Sequence, residues 1–206
     1  MGAQRLTRAE SRDRTRTLLV QAARRVFLRH GYHAATLDAV ADEAGFTKGA
    51  VYSAFESKAA LFLAVLDERV ATRAAEMEKA GVGAVSPGAH AEALARQFIA
   101  AIEHDPQWSA VVIEFWAHAS RDPDLRKRFA ARHAVLRTAL TDAFVAMTER
   151  TGRQFALDAE HLATVGLALG NGFALEAMTG GHVDGDLFPK VAAVLMTALT
   201  DRTDQR

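Results

Sequence analysis

Apolar residues recur at three- and four-residue spacing along most of the chain, and no stretch alternates polar with apolar as a strand would. The pattern predicts an all-α fold. From Arg14 to His30 the stripe Leu18, Leu19, Ala22, Ala23, Val26 and Phe27 predicts an amphipathic helix closed by Gly31. Two short helices follow. Thr36 is placed to cap one opening at Leu37, and Thr47 to cap another opening at Lys48. Gly45 lies between them, where a left-handed residue would end the first and turn the chain. Ser57 resembles a further N-cap, for a helix through Leu61, Phe62, Val65, Leu66 and Val70 that loses its apolar period among Thr72, Glu76, Glu78 and Lys79.

The densest cluster of helix breakers, Gly81 to Gly88, marks a boundary. Beyond it the periodicity predicts helices over Ala89–His104, Gln107–Ser120, Pro123–Gly152, Asp158–Thr179 and Asp186–Asp201, with Pro123 at a first turn capped by Asp122. Residues 1–13 carry no sustained apolar period and are expected to form a mobile basic arm. There Arg5, Arg8 and Arg12 could follow a phosphate backbone or enter a minor groove. The segments expected are therefore 1–13 (arm), 14–56 (three short helices), 57–81 (connecting helix) and 82–206 (helical body).

Composition narrows the function. The 206 residues are half hydrophobic, enough for a sizeable core, and contain no cysteine, which removes disulfides, thiolate metal sites and thiol catalysis together. No apolar run reaches membrane-spanning length and the amino terminus has no apolar signal core, so a soluble, cytoplasmic protein without membrane contact is expected. The formal net charge is zero, yet it is unevenly spread. Residues 1–58 carry ten Lys or Arg against six Asp or Glu, and the remaining 148 carry fifteen against nineteen. A basic amino-terminal module, suited to nucleic acid, is joined to a mildly acidic body.

The spacing Ala41, Gly45, Val51 fits a helix-turn-helix: a small residue lets the helices approach, a glycine makes the corner, and an apolar residue packs back. Lys48, Gly49, Ala50, Tyr52 and Ser53 then face outward on a helix about 10 Å long. Gly49 and Ala50 would let the backbone approach a major groove, Lys48 would reach a guanine edge or a phosphate, and Tyr52 would donate to a phosphate. Thr36, Thr47 and Lys58 complete the candidate DNA contacts, Lys58 at a second phosphate-binding corner. The whole run, from Phe27 and Gly31-Tyr32 through Thr36, Ala41, Ala44-Gly45-Phe46-Thr47-Lys48-Gly49, Val51-Tyr52 and Phe55 to Lys58 and Leu61, resembles the DNA-binding domain of the TetR-type (tetracycline-repressor-like) bacterial transcription regulators. The resemblance covers roughly residues 15 to 62.

The helix from 158 to 179 is apolar on nearly every side and contains Gly166, Gly170 and Gly172. It is either a central core helix or is buried between two subunits, with glycines allowing close approach. The resemblance implies the second: a homodimer formed through the last two helices, with Leu162, Gly166, Leu169, Phe173, Val191 and Leu195 at the interface. It also implies a homodimeric repressor that leaves double-stranded operator DNA when a small-molecule effector binds the middle helices. Polar and aromatic residues there are the candidate pocket: Trp108, Glu114, Phe115, Trp116, His118, Arg121, His133, Asn171 and Glu176. No cofactor is implied. The competing readings are a helical enzyme or a protein-interaction module, with Glu114, His118 and His133 as a His/carboxylate site. No His-Glu-x-x-His, Gly-x-Ser-x-Gly or glycine-rich phosphate loop accompanies them.

Overall fold

The structure, a computed structural model, describes residues 7–80, 82–179 and 184–200. Among these residues the regular elements are nine helices: α1 (Arg8–Ala34), α2 (Leu37–Ala44), α3 (Lys48–Ala54), α4 (Lys58–Lys79), α5 (Pro87–His104), α6 (Pro106–Ala119), α7 (Pro123–Thr151), α8 (Ala159–Met178) and α9 (Leu187–Leu199). The all-α expectation holds, and most of the expected helix ends fall within two residues of those observed. No single helix among the described residues is long and apolar enough to cross a membrane.

The first helix departs most from expectation. It opens at Arg8, because Thr7 and Glu10 form a capping box: the Thr7 hydroxyl accepts from the Glu10 amide at 3.2 Å, and the Glu10 carboxylate accepts from the Thr7 amide at 2.7 Å. Arg8 and Arg12 therefore lie in a helix, not in the expected mobile arm; Arg5 lies outside the described residues. The capping box is polar throughout, and an apolar-period search passes over it. At the other end Gly31, with φ 74° and ψ 172°, breaks the helix one turn before its last residue. That conformation is essentially confined to glycine.

The chain packs as two compact units, one of residues up to Arg69 with Ala110–Phe129, the other of Val70–Ser109 with Ala130 onward. Residues 110–129 thus group with the amino-terminal helices, which the division at residue 82 did not contain. In the first unit Leu19, Ala22, Ala23, Val26 and Phe27 of α1 are buried with Val40 and Ala41 of α2, Val51 of α3 and Leu61 and Phe62 of α4. Phe27, Tyr32, Phe62 and Phe115 form its aromatic centre. Phe62 lies edge-on to Phe27 and Tyr32, at 5.1 and 5.3 Å between centroids, and stacks on Phe115 at 4.3 Å. Each such pair adds about 0.5–1.5 kcal/mol beyond the burial of its area. The phenol of Tyr32 is itself buried enough to push its hydroxyl up to about 12.

The second unit is built on Met77, Ala91, Leu140, Phe144, Met147, Leu162, Ala163, Leu167 and Met196. Two helices meet closely there. A side chain at Gly88 of α5 would come within 2.6 Å of the Thr197 hydroxyl and 3.1 Å of the Ala193 carbonyl oxygen on α9, so it would enter only if both gave way.

Candidate DNA-binding site and effector cavity

The corner between α2 and α3 forms as its caps dictate. The Thr36 hydroxyl accepts from the Ala39 amide at 3.1 Å and the Thr47 hydroxyl from the Ala50 amide at 3.3 Å. Gly45 takes φ 69°, ψ 28°, and its amide and that of Phe46 return to the carbonyls of Ala41 and Asp42. The last turn of α2 is thereby satisfied while the chain reverses. Val40, Ala41 and Val51 are buried beneath the corner, leaving Thr47, Lys48, Gly49, Tyr52 and Ser53 exposed and Ala50 half-buried. Tyr52 is 58% exposed, unusual for so large a ring in a packed module. A side chain at Gly49 would meet nothing closer than the Thr47 hydroxyl at 3.9 Å, so its smallness serves no internal packing and keeps the outer surface low.

Three polar clips hold the corner on the rest of its unit. Glu43 of α2 accepts from Arg25 at 2.6 Å and Arg29 at 3.1 Å on α1, and these guanidinium groups hold its carboxyl below the usual range. Arg16 of α1 donates to the Ala54 carbonyl at 3.1 Å, over the Phe55 ring, and so fixes the end of α3. Arg128 pairs with Glu56 at 3.3 Å. None of these was legible in the sequence, because each joins residues whose approach depends on the finished packing. Lys48 pairs with Asp38 of α2, chiefly through a hydrogen bond that raises the ammonium's pKa.

Lys58 is placed otherwise than expected. Its ammonium donates to the carbonyls of Tyr32, His33 and Ala35 at 2.8, 2.9 and 3.0 Å, and sits over the Tyr32 ring. An ammonium has three protons, and all three are taken by the frayed end of α1. Lys58 therefore ties α4 to α1. Ser57 does cap α4, its hydroxyl accepting from the Ala60 amide at 3.0 Å.

The nine candidate pocket residues do not gather into one site. Glu114 accepts from the His33 amide at 3.2 Å and fills the space beside Gly31, where a side chain would come within 2.8 Å of its carboxylate. Phe115 is fully buried in the aromatic centre, and the His118 ring lies 5.2 Å from that of Tyr32. These α6 residues hold the break in α1; their spacing on one helix face was the available signal. Trp116, Arg121, Asn171 and Glu176 are exposed, and Trp108 and His133 are half-buried, with burial and Arg137 lowering the His133 pKa. Among the described residues no group of three or more His, Asp or Glu side chains is arranged to hold a metal ion.

A cavity of about 70 Å³ does open in the second unit, and none of the nine lines it. Its walls come from α4, α5, α7, α8 and α9, and include Leu162, Gly166, Leu169 and Leu195, expected at a dimer face. The expected role of two α8 glycines changes with this. A side chain at Gly166 would meet Leu140 at 3.2 Å and one at Gly170 would meet Phe98 at 3.1 Å, so both admit neighbours of the same chain. Phe173 stacks on Phe188 at 4.9 Å between centroids. Of the six expected interface residues only Val191 is exposed, alongside Leu175, Met178, Leu187 and Val194 on the same two helices.

A capped, glycine-cornered helix pair with its short second helix bare defines a helix-turn-helix regulatory protein. Residues 19–65 match the bacterial regulatory proteins of the tetR family, residues 87–201 match the C-terminal part of BetI-type transcriptional repressors, and the chain belongs to the tetR family. It is 34% identical over 139 residues to the HTH-type transcriptional activator FasR of Mycolicibacterium smegmatis, across 68% of this chain and 61% of FasR. It is 31% identical over 127 residues to the HTH-type transcriptional repressor Rv1474c of Mycobacterium tuberculosis, across 62% of this chain and 63% of that protein. The chain thus spans somewhat less than two thirds of either relative. The fold is that of a TetR-family regulator from Mesorhizobium loti, with a TM-score of 0.77 at 22% identity over 95% of this chain and 99% of that one.

Proposed function

We infer that this protein is a homodimeric transcription repressor that reads operator DNA with α3 and leaves it when a small molecule enters the second unit. The observation that carries the reading is the bare outer face of α3. Lys48, Gly49, Tyr52 and Ser53 stand clear, with Ala50 half-buried beside them, around a fully buried Val51, in the low, polar, cation-bearing profile that a major groove accepts. Thr36 and Thr47 flank that face as backbone-contacting hydroxyls. Repression is favoured by the BetI-type repressor match over residues 87–201 and by Rv1474c; FasR, named an activator, is the counter-example.

Dimerisation through α8 and α9 is supported by the exposed apolar run Leu175, Met178, Leu187, Val191 and Val194. One α3 offers few base contacts, and two half-sites supply the discrimination a single helix lacks. The effector site is the α4, α5, α7, α8 and α9 cavity, in place of the nine residues expected from sequence.

The test is a gel shift on the DNA immediately upstream of the protein's own coding region, with unrelated duplex as competitor, followed by selection from random duplexes. Retention that survives the competitor supports the reading, and Lys48→Ala should then weaken the specific complex by about 1–3 kcal/mol while relaxing base preference. Failure of both the upstream DNA and the random selection sinks it.

A further inference from the structure

The first turns of α1 reverse the pattern of the rest of that helix. Farther along, its inward stripe is Leu19, Ala23 and Val26, all buried. Arg12 and Arg16 stand seven residues before Leu19 and Ala23, and Arg8 stands four before Arg12. At about 3.6 residues per turn, the three arginines continue that same stripe toward the amino terminus. The solvated charges of an amphipathic helix lie opposite its core stripe, whereas these lie in line with it. Every residue from Thr7 to Arg14 is exposed, so this end of the helix overhangs and buries none of its own residues.

The overhang is nonetheless helical. The Thr7 and Glu10 capping box closes its free end, and the continuous helix behind it supplies the nucleus that a short isolated segment lacks. Its acids fall off the row. Glu10 lies on the far side of the helix and is engaged by the cap, and Asp13 is turned from Arg12 by about 100°. The inner end of the row is also located: Arg16 donates to the Ala54 carbonyl at 3.1 Å and lies over the Phe55 ring at 4.3 Å, where α3 ends. From Arg16 to Arg8 the axis advances about 12 Å, the span of about three or four phosphates along one strand.

We propose that the overhanging turns of α1 are a second DNA-contacting element, a helical strut that lays Arg8 and Arg12 on the phosphates flanking the stretch read by α3. Arg16 is its pivot, since the hydrogen bond to the last residue of α3 sets the strut's bearing on the reading helix. A cation row that continues a reading face is complementary to the backbone of the same duplex, and such contacts fix register without carrying sequence. The inference rests on the regulator reading. It adds a footprint longer than α3 requires, with a length set by a capped helix and not by a loose tail.

The experiment measures operator affinity of the full-length protein by fluorescence anisotropy across a salt series, with hydroxyl-radical footprinting on the same duplex. The probe is the upstream duplex of the gel shift, or the one recovered by random selection. Arg8→Gln/Arg12→Gln should lower the salt slope by about 1.8 per subunit and expose about three or four flanking positions per half-site, while the central protection stays. Glutamine is nearly as good a helix former as arginine, so circular dichroism should not change. Arg14→Gln removes the same kind of charge from the other side of the helix and should leave the footprint at its full length. A double variant with the parent's slope and footprint overturns the strut and leaves the regulator reading standing. Equal shortening by Arg14→Gln overturns the row, because net charge alone would then explain the loss. A parent that retains no duplex at any salt fails the regulator reading and the strut with it. Should the double variant fail to fold, the parent's own footprint decides: protection that ends with the α3 contact overturns the strut.

Discussion

Replacing Lys58 by Met separates two roles that predict opposite results. The ammonium makes three hydrogen bonds to the end of α1, those to Tyr32 and Ala35 part-buried and that to His33 exposed. The exposed carbonyl regains water at little cost, whereas each part-buried bond is worth roughly 1 kcal/mol. The contact over the Tyr32 ring adds about 0.5 kcal/mol at so wet a site. Loss of about 2.5 kcal/mol is therefore expected, a fall in melting temperature of about 5–10 °C for a chain of 206 residues. Met keeps the aliphatic stem, so the comparison isolates the charge. The assay pairs thermal melting followed by circular dichroism with operator affinity measured across a salt series. A lysine spent on carbonyls leaves the salt slope unchanged, while one on a phosphate lowers it by about 0.9 per subunit. Unchanged melting together with a shallower slope would refute the clamp and restore the phosphate contact.

Three further outcomes are expected. Gly31→Ala should cost about 1–3 kcal/mol, because its backbone conformation excludes a side chain and Glu114 occupies the space; Gly45→Ala, left-handed but with open space around it, should cost only about 1–2 kcal/mol and Gly45→Asn less. Urea midpoints compare them, and equal losses for Ala at both positions would deny the Glu114 contact a role. Glu43 has a lowered folded pKa, so its clip is fully present above the ordinary carboxylate range and is lost as pH falls through the folded value. Stability between pH 7 and pH 3 should accordingly fall more steeply in the parent than in Glu43→Gln, and parallel curves would count against the clip. Val194, 69% exposed, lies on the proposed dimer face. Val194→Asp should shift sedimentation from dimer to monomer without lowering helix content; a dimer that persists would exclude α9 from the interface.

The helices and the α2–α3 corner were legible because their signals are local: a threonine cap, a glycine just past the last apolar turn, and an inward valine. The cavity was not, and the reason lies in which residues attract notice. Polar and aromatic side chains on apolar helices suggested Glu114, Phe115 and His118, but these bind the broken end of α1. The cavity is lined instead, Arg73 apart, by Leu, Ala, Phe, Met, Val and Gly, residues that look like core in any sequence. The direction of the Lys58 ammonium was hidden for a related reason. Its position beside a helix start is the same whether its ammonium points to solvent or back to three carbonyls, and only the packing of α1 against α4 decides.

The pairing of Lys48 with Asp38 bears on how fast such a reader searches. A lysine already neutralised by a carboxylate gains little from an arbitrary phosphate, since it exchanges one anion for another. Under the proposed reading, the helix would be held weakly on random duplex and would move on quickly. At the right site a base acceptor would replace the carboxylate in a water-poor groove, and Asp38 would turn from partner to repellent against the nearby phosphates. The same acid that loosens the grip on wrong DNA would then cap the affinity for right DNA, trading residence time for speed of search.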